Sequence, residues 1–90
     1  MGEESIVSTL DSATGQAQST ASSVDDVIAG LAAVDGELDD AISQFQAVGV
    51  SDKAAEAGSA KDTVDTLKSQ AAALKSGIEE LATQIQAISG

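Results

Sequence analysis

The chain has 90 residues and a formal net charge of -11, from fifteen Asp and Glu against four Lys. It contains no Cys or His, which excludes disulfides and thiolate zinc sites and removes the commonest acid/base group at neutral pH. So acidic a chain, with no basic stripe and Phe45 as its one aromatic residue, excludes nucleic acid as a partner and disfavours anionic membranes.

Polar residues interrupt every apolar stretch within a few positions, so the sequence predicts no membrane insertion. The chain begins Met1-Gly2-Glu3-Glu4, without the basic and continuous apolar regions of a signal peptide. We therefore expect a cytoplasmic protein, or one that is exported without a cleaved signal peptide.

Helix 1 is predicted over residues 3–48, where apolar residues follow a seven-residue repeat with positions labelled a to g. Glu3 and Glu4 suit its first turn, because carboxylates are favourable near a helix amino terminus. The stretch 14–23 is rich in Ser and Thr, and the capping-box spacing at Ser23 offers a second start; we prefer one continuous helix, since the repeat is unbroken. The a positions are Leu10, Ala17, Val24, Leu31, Leu38 and Phe45, and the d positions are Ile6, Ala13, Thr20, Val27, Val34, Ala41 and Val48.

A chain reversal is predicted at residues 49–51. Gly49 can adopt the left-handed conformation that ends a helix, and Ser51 or Asp52 can cap the next one.

Helix 2 is predicted over residues 52–88 with its own repeat. Two such helices joined by a short turn predict an all-α fold, an antiparallel two-helix hairpin of coiled-coil type, in a single domain over residues 1–90. With the turn near residue 50, the small residues of one helix lie opposite the bulky residues of the other, as interdigitated packing requires. The a positions are Ala57, Val64, Ala71, Ile78 and Ile85, and the d positions are Ala60, Leu67, Leu74, Leu81 and Ile88.

The e positions of helix 1 are also apolar, which a seam of two helices does not need. Wide apolar stripes mark interfaces, so an interface is predicted at Val7, Ala21, Ile28 and Ile42, joining hairpins into a four-helix bundle. In the alternative, the stems of the e-position lysines of helix 2 cover Ile28 and Ile42 while a lysine head group meets Asp35. Those lysines are Lys61, Lys68 and Lys75.

Gly30 and Gly77 both occupy g positions, where glycine costs about 1 kcal/mol relative to alanine. Close packing of a partner would account for both, and tolerated glycine on a mobile surface is the alternative. We include both residues in the predicted interface.

Asp11, Asp25 and Asp39 recur every fourteen residues at b. Adjacent helical carboxylates diverge, whereas a calcium site needs six or more converging oxygens, so we expect a solvated acidic surface and no metal site. A pair of helices offers no desolvated cleft, and no His is present to activate a hydroxyl. We therefore expect that the chain is not an enzyme and that it binds no cofactor and no small-molecule substrate.

The layout resembles the ESAT-like family of small Trp-x-Gly proteins of type VII secretion: two Ala-rich heptad helices and a turn, with Ala47-Val48-Gly49 where Trp-x-Gly would stand. Gly49 matches, while the chain lacks both the Trp and the carboxyl-terminal Tyr-xxx-acid motif. The resemblance implies a protein partner, as a homodimer or as a heterodimer with another helical hairpin. It also implies a secretion substrate, or an accessory or adaptor to a larger secreted toxin.

The segment from Ser76 to Ala82, Ser-Gly-Ile-Glu-Glu-Leu-Ala, resembles the cytoplasmic hairpins of chemoreceptors. This second resemblance implies a signalling or structural coiled-coil segment, which we keep as the alternative function.

Overall fold

The structure, a computed structural model, describes residues 2–89. The chain folds as an all-α helical hairpin of two helices that pack against each other, and these residues contain no strand. Helix α1 spans Gly2–Ala47 and helix α2 spans Ser51–Ser89.

Helix α1 is continuous through the Ser- and Thr-rich stretch, so the second start at Ser23 is not used. The hydroxyl of Thr20 donates a hydrogen bond to the Gln16 carbonyl at 2.8 Å, and that of Ser23 donates to the Ser19 carbonyl at 3.2 Å. Both hydroxyls therefore find their hydrogen-bond acceptors within α1, one turn back along the helix.

Gly49 ends α1 with a φ of 78°. The Val50 amide donates to the Phe45 carbonyl at 2.9 Å and the Gly49 amide donates to the Gln46 carbonyl at 3.2 Å. This pair of bonds is the Schellman motif, with Gly49 at its left-handed position. Gly49 thus lies at the end of α1, in the conformation that the sequence analysis expected of it.

Ser51 was expected in the turn and is instead the first residue of α2. The Ala54 amide donates to the Val50 carbonyl at 3.2 Å, so the helical bonding pattern already begins at Val50. Val48, Gly49 and Val50 therefore connect the helices, one residue earlier than the predicted turn at 49–51.

The chain divides into two compact units. Unit 1 comprises Met1–Asp26 and Ala72–Gly90, and unit 2 comprises Val27–Ala71, which includes the turn. Each unit pairs a segment of α1 with a segment of α2. The single domain expected from the sequence stays a prediction.

The seam between the helices follows the a and e positions, and the eight residues that are buried in the described part of the chain all occupy one of the two. Half of them are at e, where the side chains are small, so the two backbones can approach closely. No large side chain among the described residues is fully buried. The a residues are Ala17, Val24, Val64 and Ala71, and the e residues are Thr14, Ala21, Ala54 and Ala82.

Candidate interaction surface

The residues predicted at e as a partner interface lie mostly inside the hairpin's own seam. Ala21 is only 4% exposed, and Ile28 and Ile42 are half-buried. Val7, near the amino terminus, is 40% exposed. Because the seam runs along a and e, the alternative in which Ile28 and Ile42 flank the intramolecular contact describes the structure better than a free e strip.

The exposed apolar surface lies instead at the d positions. Within residues 2–89, ten large apolar side chains are exposed: eight of them occupy d, and Val7 and Val50 are the other two. The heptad therefore carries two apolar seams, and the hairpin uses one of them. The d residues are Ile6, Val27, Val34, Val48, Leu67, Leu74, Leu81 and Ile88.

In unit 1 the d positions form a ridge beside a groove. Helix α2 supplies the ridge through Leu74, Leu81 and Ile88, of which Ile88 is 71% exposed. Helix α1 supplies small side chains at Ala13 and Thr20, and an apolar groove of about 320 Å³ lies over them. This groove is lined by Ala13, Gln16, Ala17, Thr20, Ile78, Leu81 and Ile85.

In unit 2 the exposed d residues are smaller on average, with Val27 and Val34 on α1 and Leu67 on α2. Charged groups also lie at the start of α2, where the Nζ of Lys53 is 3.3 Å from a carboxylate oxygen of Glu56. Lys53 is at d and Glu56 at g, so this strip is less uniformly apolar than that of unit 1.

Ion pairs join the helices at the e and b positions. In unit 2 the Lys61 ammonium donates to Asp39 and lies 3.9 Å from Asp35, the head-group contact expected for a lysine at e. In unit 1 Lys75 lies 2.9 Å from Asp25. Hydrogen bonds to Asp39 and Asp25, respectively, raise the pKa of Lys61 and of Lys75 above the usual value near 10.5.

Thr14 is a polar side chain in the seam of unit 1. It is 6% exposed, and its hydroxyl has no hydrogen-bond partner. A buried hydroxyl without a partner costs about 1–3 kcal/mol, so Thr14 fits this seam by shape and not by polarity.

Gly30 and Gly77 have no close neighbour among residues 2–89 beyond the backbone of their own helix. A Cβ added at either position would meet no heavy atom within 4 Å. The hairpin itself does not require glycine there, and the expected close packing of a partner at these positions stays a prediction.

The repeated aspartates do not converge. Asp25 and Asp39 each pair with a lysine of α2, and no three Asp or Glu side chains within residues 2–89 could together hold a metal ion. Neither helix, over the same residues, has a stretch long and apolar enough to cross a membrane.

The d-position surface could have been foreseen from the small residues at e. Thr14, Ala21, Ala54 and Ala82 are small enough to be buried between the helices at e, and the larger d residues then lie outside the seam. No protein-family model, curated protein or solved structure matches this chain.

Proposed function

We propose that this chain is a non-enzymatic interaction module whose exposed d residues pack against a helical segment of a protein partner. The observation that carries the proposal is the concentration of exposed large apolar side chains at one heptad position. Apolar side chains scattered singly over a surface need no explanation, whereas a repeated apolar strip marks an interface.

Site-specific photo-cross-linking in the native cells tests this function. A benzophenone amino acid at Leu67 or Leu81 should cross-link to a helical protein, and the same group at Gln18, on the b side, should not. Cross-linking of equal yield from all three positions would contradict a d-position interface. Sequencing of the cross-linked peptides identifies the partner helix.

The resemblance to the ESAT-like family extends the proposal to secretion: the hairpin would leave the cell by type VII export, either as a substrate or as an adaptor to a larger toxin. Gly49 at the turn supports this extension. Expression in a host with a type VII system should release the chain into the medium, with a cytosolic enzyme as the lysis control. If the chain stayed inside the cells together with the cytosolic enzyme, the proposal of type VII export would be wrong. The proposed interaction with a helical partner would be unaffected.

A further inference from the structure

We infer that the helical partner of unit 1 is a second copy of this chain, related by a two-fold axis parallel to the helices. This inference rests on the proposed function and names the occupant of its surface. In such a pair α1 of each copy packs against α2 of the other along the d positions.

The shape of unit 1 is self-complementary. One face carries both the ridge of Leu74 and Leu81 and the groove over Ala13 and Thr20. A two-fold axis parallel to the helices places the ridge of one copy over the groove of the other, and the reverse contact follows by symmetry. Large side chains then meet small ones in both halves of the interface.

The charge distribution of unit 1 also favours a second copy. Its d and g positions hold no charged residue, although the chain carries -11. Apart from Glu3, the acidic residues of unit 1 lie at b or c. Two copies can therefore meet along d and g without placing like charges directly opposite each other.

The g positions of unit 1 fit close approach as well. They hold small or neutral side chains and include Gly77, where a Cβ would meet nothing within the chain. In a face-to-face pair the g positions border the d strip, so a partner helix can lie close to the backbone there. In the proposed pair, Gly77 therefore lies at the border of the interface, as the sequence analysis expected.

The first experiment measures association by sedimentation equilibrium. The wild-type chain should dimerise, and Leu74→Gln with Leu81→Gln should raise the dissociation constant at least 100-fold. Ala72→Gln is the matched control, because it adds the same side chain to α2 at an exposed b position. A monomeric wild-type chain at 100 µM would overturn the second-copy inference, while the photo-cross-linking would still test the proposed function.

A groove-filling variant keeps the inference testable if the glutamines unfold the chain. Ala13→Leu with Thr20→Leu makes the surface more apolar and fills the groove, so we expect at least tenfold weaker dimerisation. Nonspecific apolar association predicts stronger dimerisation, and that result would overturn the ridge-and-groove contact.

Disulfide trapping tests the two-fold arrangement. Chains with Thr20→Cys and differently tagged chains with Leu81→Cys are mixed, allowed to exchange subunits and oxidised. The disulfide that joins a Thr20→Cys chain to a Leu81→Cys chain should form faster than the disulfide between two Thr20→Cys chains or between two Leu81→Cys chains. The reason is that α1 of one copy faces α2 of the other. Equal rates for all three products would overturn this arrangement.

Discussion

The Nζ of Lys75 lies 2.9 Å from Oδ1 of Asp25, and this pair joins α2 to α1 on the side of unit 1 away from its exposed d residues. Lys61 makes the equivalent contact with Asp39 in unit 2. Both lysines are at e and both aspartates at b, so in each unit these pairs lie on the side of the seam away from the d positions.

The first prediction concerns pH. The folded-state pKa of Lys61 and of Lys75 is raised, so the stability these pairs contribute is present below the unfolded pKa and is lost as pH rises through the folded pKa. We expect the free energy of unfolding to fall above about pH 10.5, with a smaller fall in Lys61→Met plus Lys75→Met. Urea unfolding monitored by circular dichroism at each pH measures the free energy of unfolding. Because the chain contains no Tyr, no tyrosine titrates in this alkaline range.

Lys68→Met is the matched control for the pH experiment, because Lys68 is also at e and makes no ion pair in the described part of the chain. An equal alkaline loss in the double variant and in the wild type would contradict a stabilising role for the two pairs.

The second prediction concerns Gly49. Its φ of 78° strains any residue with a Cβ, and a Cβ there would meet no atom within 4 Å, so the cost is conformational. We expect Gly49→Ala to lower the free energy of unfolding by about 1–2 kcal/mol. Gly77→Ala, in a helical position, should instead raise it by about 0.5–1 kcal/mol. Both substitutions are best measured in a chain that also carries Leu74→Gln and Leu81→Gln, because association then does not contribute to the free energy of unfolding.

The third prediction concerns Thr14. Replacing its unpartnered hydroxyl by the methyl of valine keeps the shape of the seam, so Thr14→Val should stabilise the chain by about 1 kcal/mol. Thr66→Val is the control: Thr66 is exposed and donates to the Asp62 carbonyl at 3.1 Å, and we expect a change within about 0.5 kcal/mol. Destabilisation by Thr14→Val would indicate that the hydroxyl has a partner in solution.

The fourth prediction concerns close approach of the helices. Ala21 is 4% exposed, so Ala21→Leu must separate α1 from α2 or force a strained rotamer. We expect a loss of about 1–3 kcal/mol, measured by urea unfolding. Ala29→Leu, at an exposed position of the same helix, should leave stability nearly unchanged. A neutral Ala21→Leu would mean that e is not part of the seam.

The fifth prediction concerns salt. Two copies of charge -11 repel at long range, and raising the ionic strength from 0.1 M to 1 M shortens the Debye length from about 10 Å to about 3 Å. Since the proposed contact of unit 1 is uncharged, dimerisation should tighten with NaCl. Weakening with salt would point to an interface held by opposite charges.

The sequence alone predicted the two helices to within one residue at each end, and Gly49 at the turn. The side of each helix that faces the other helix could not be predicted in the same way. Apolar residues at a, d and e permit an a/d seam or an a/e seam equally, and a single-helix pattern does not say which strip meets the partner helix. The structure has the a/e seam, in which the small side chains of Ala21, Ala54 and Ala82 are buried.

Segregation of charge from the apolar strip also limits how far assembly can proceed. In the proposed pair, the uncharged side of each unit 1 is covered by the other copy. The b and c carboxylates remain outside, and a third copy would have to bring its own carboxylates against them. Growth through the unit 1 contact therefore stops at two copies, so this exposed apolar strip need not lead to fibres or precipitation.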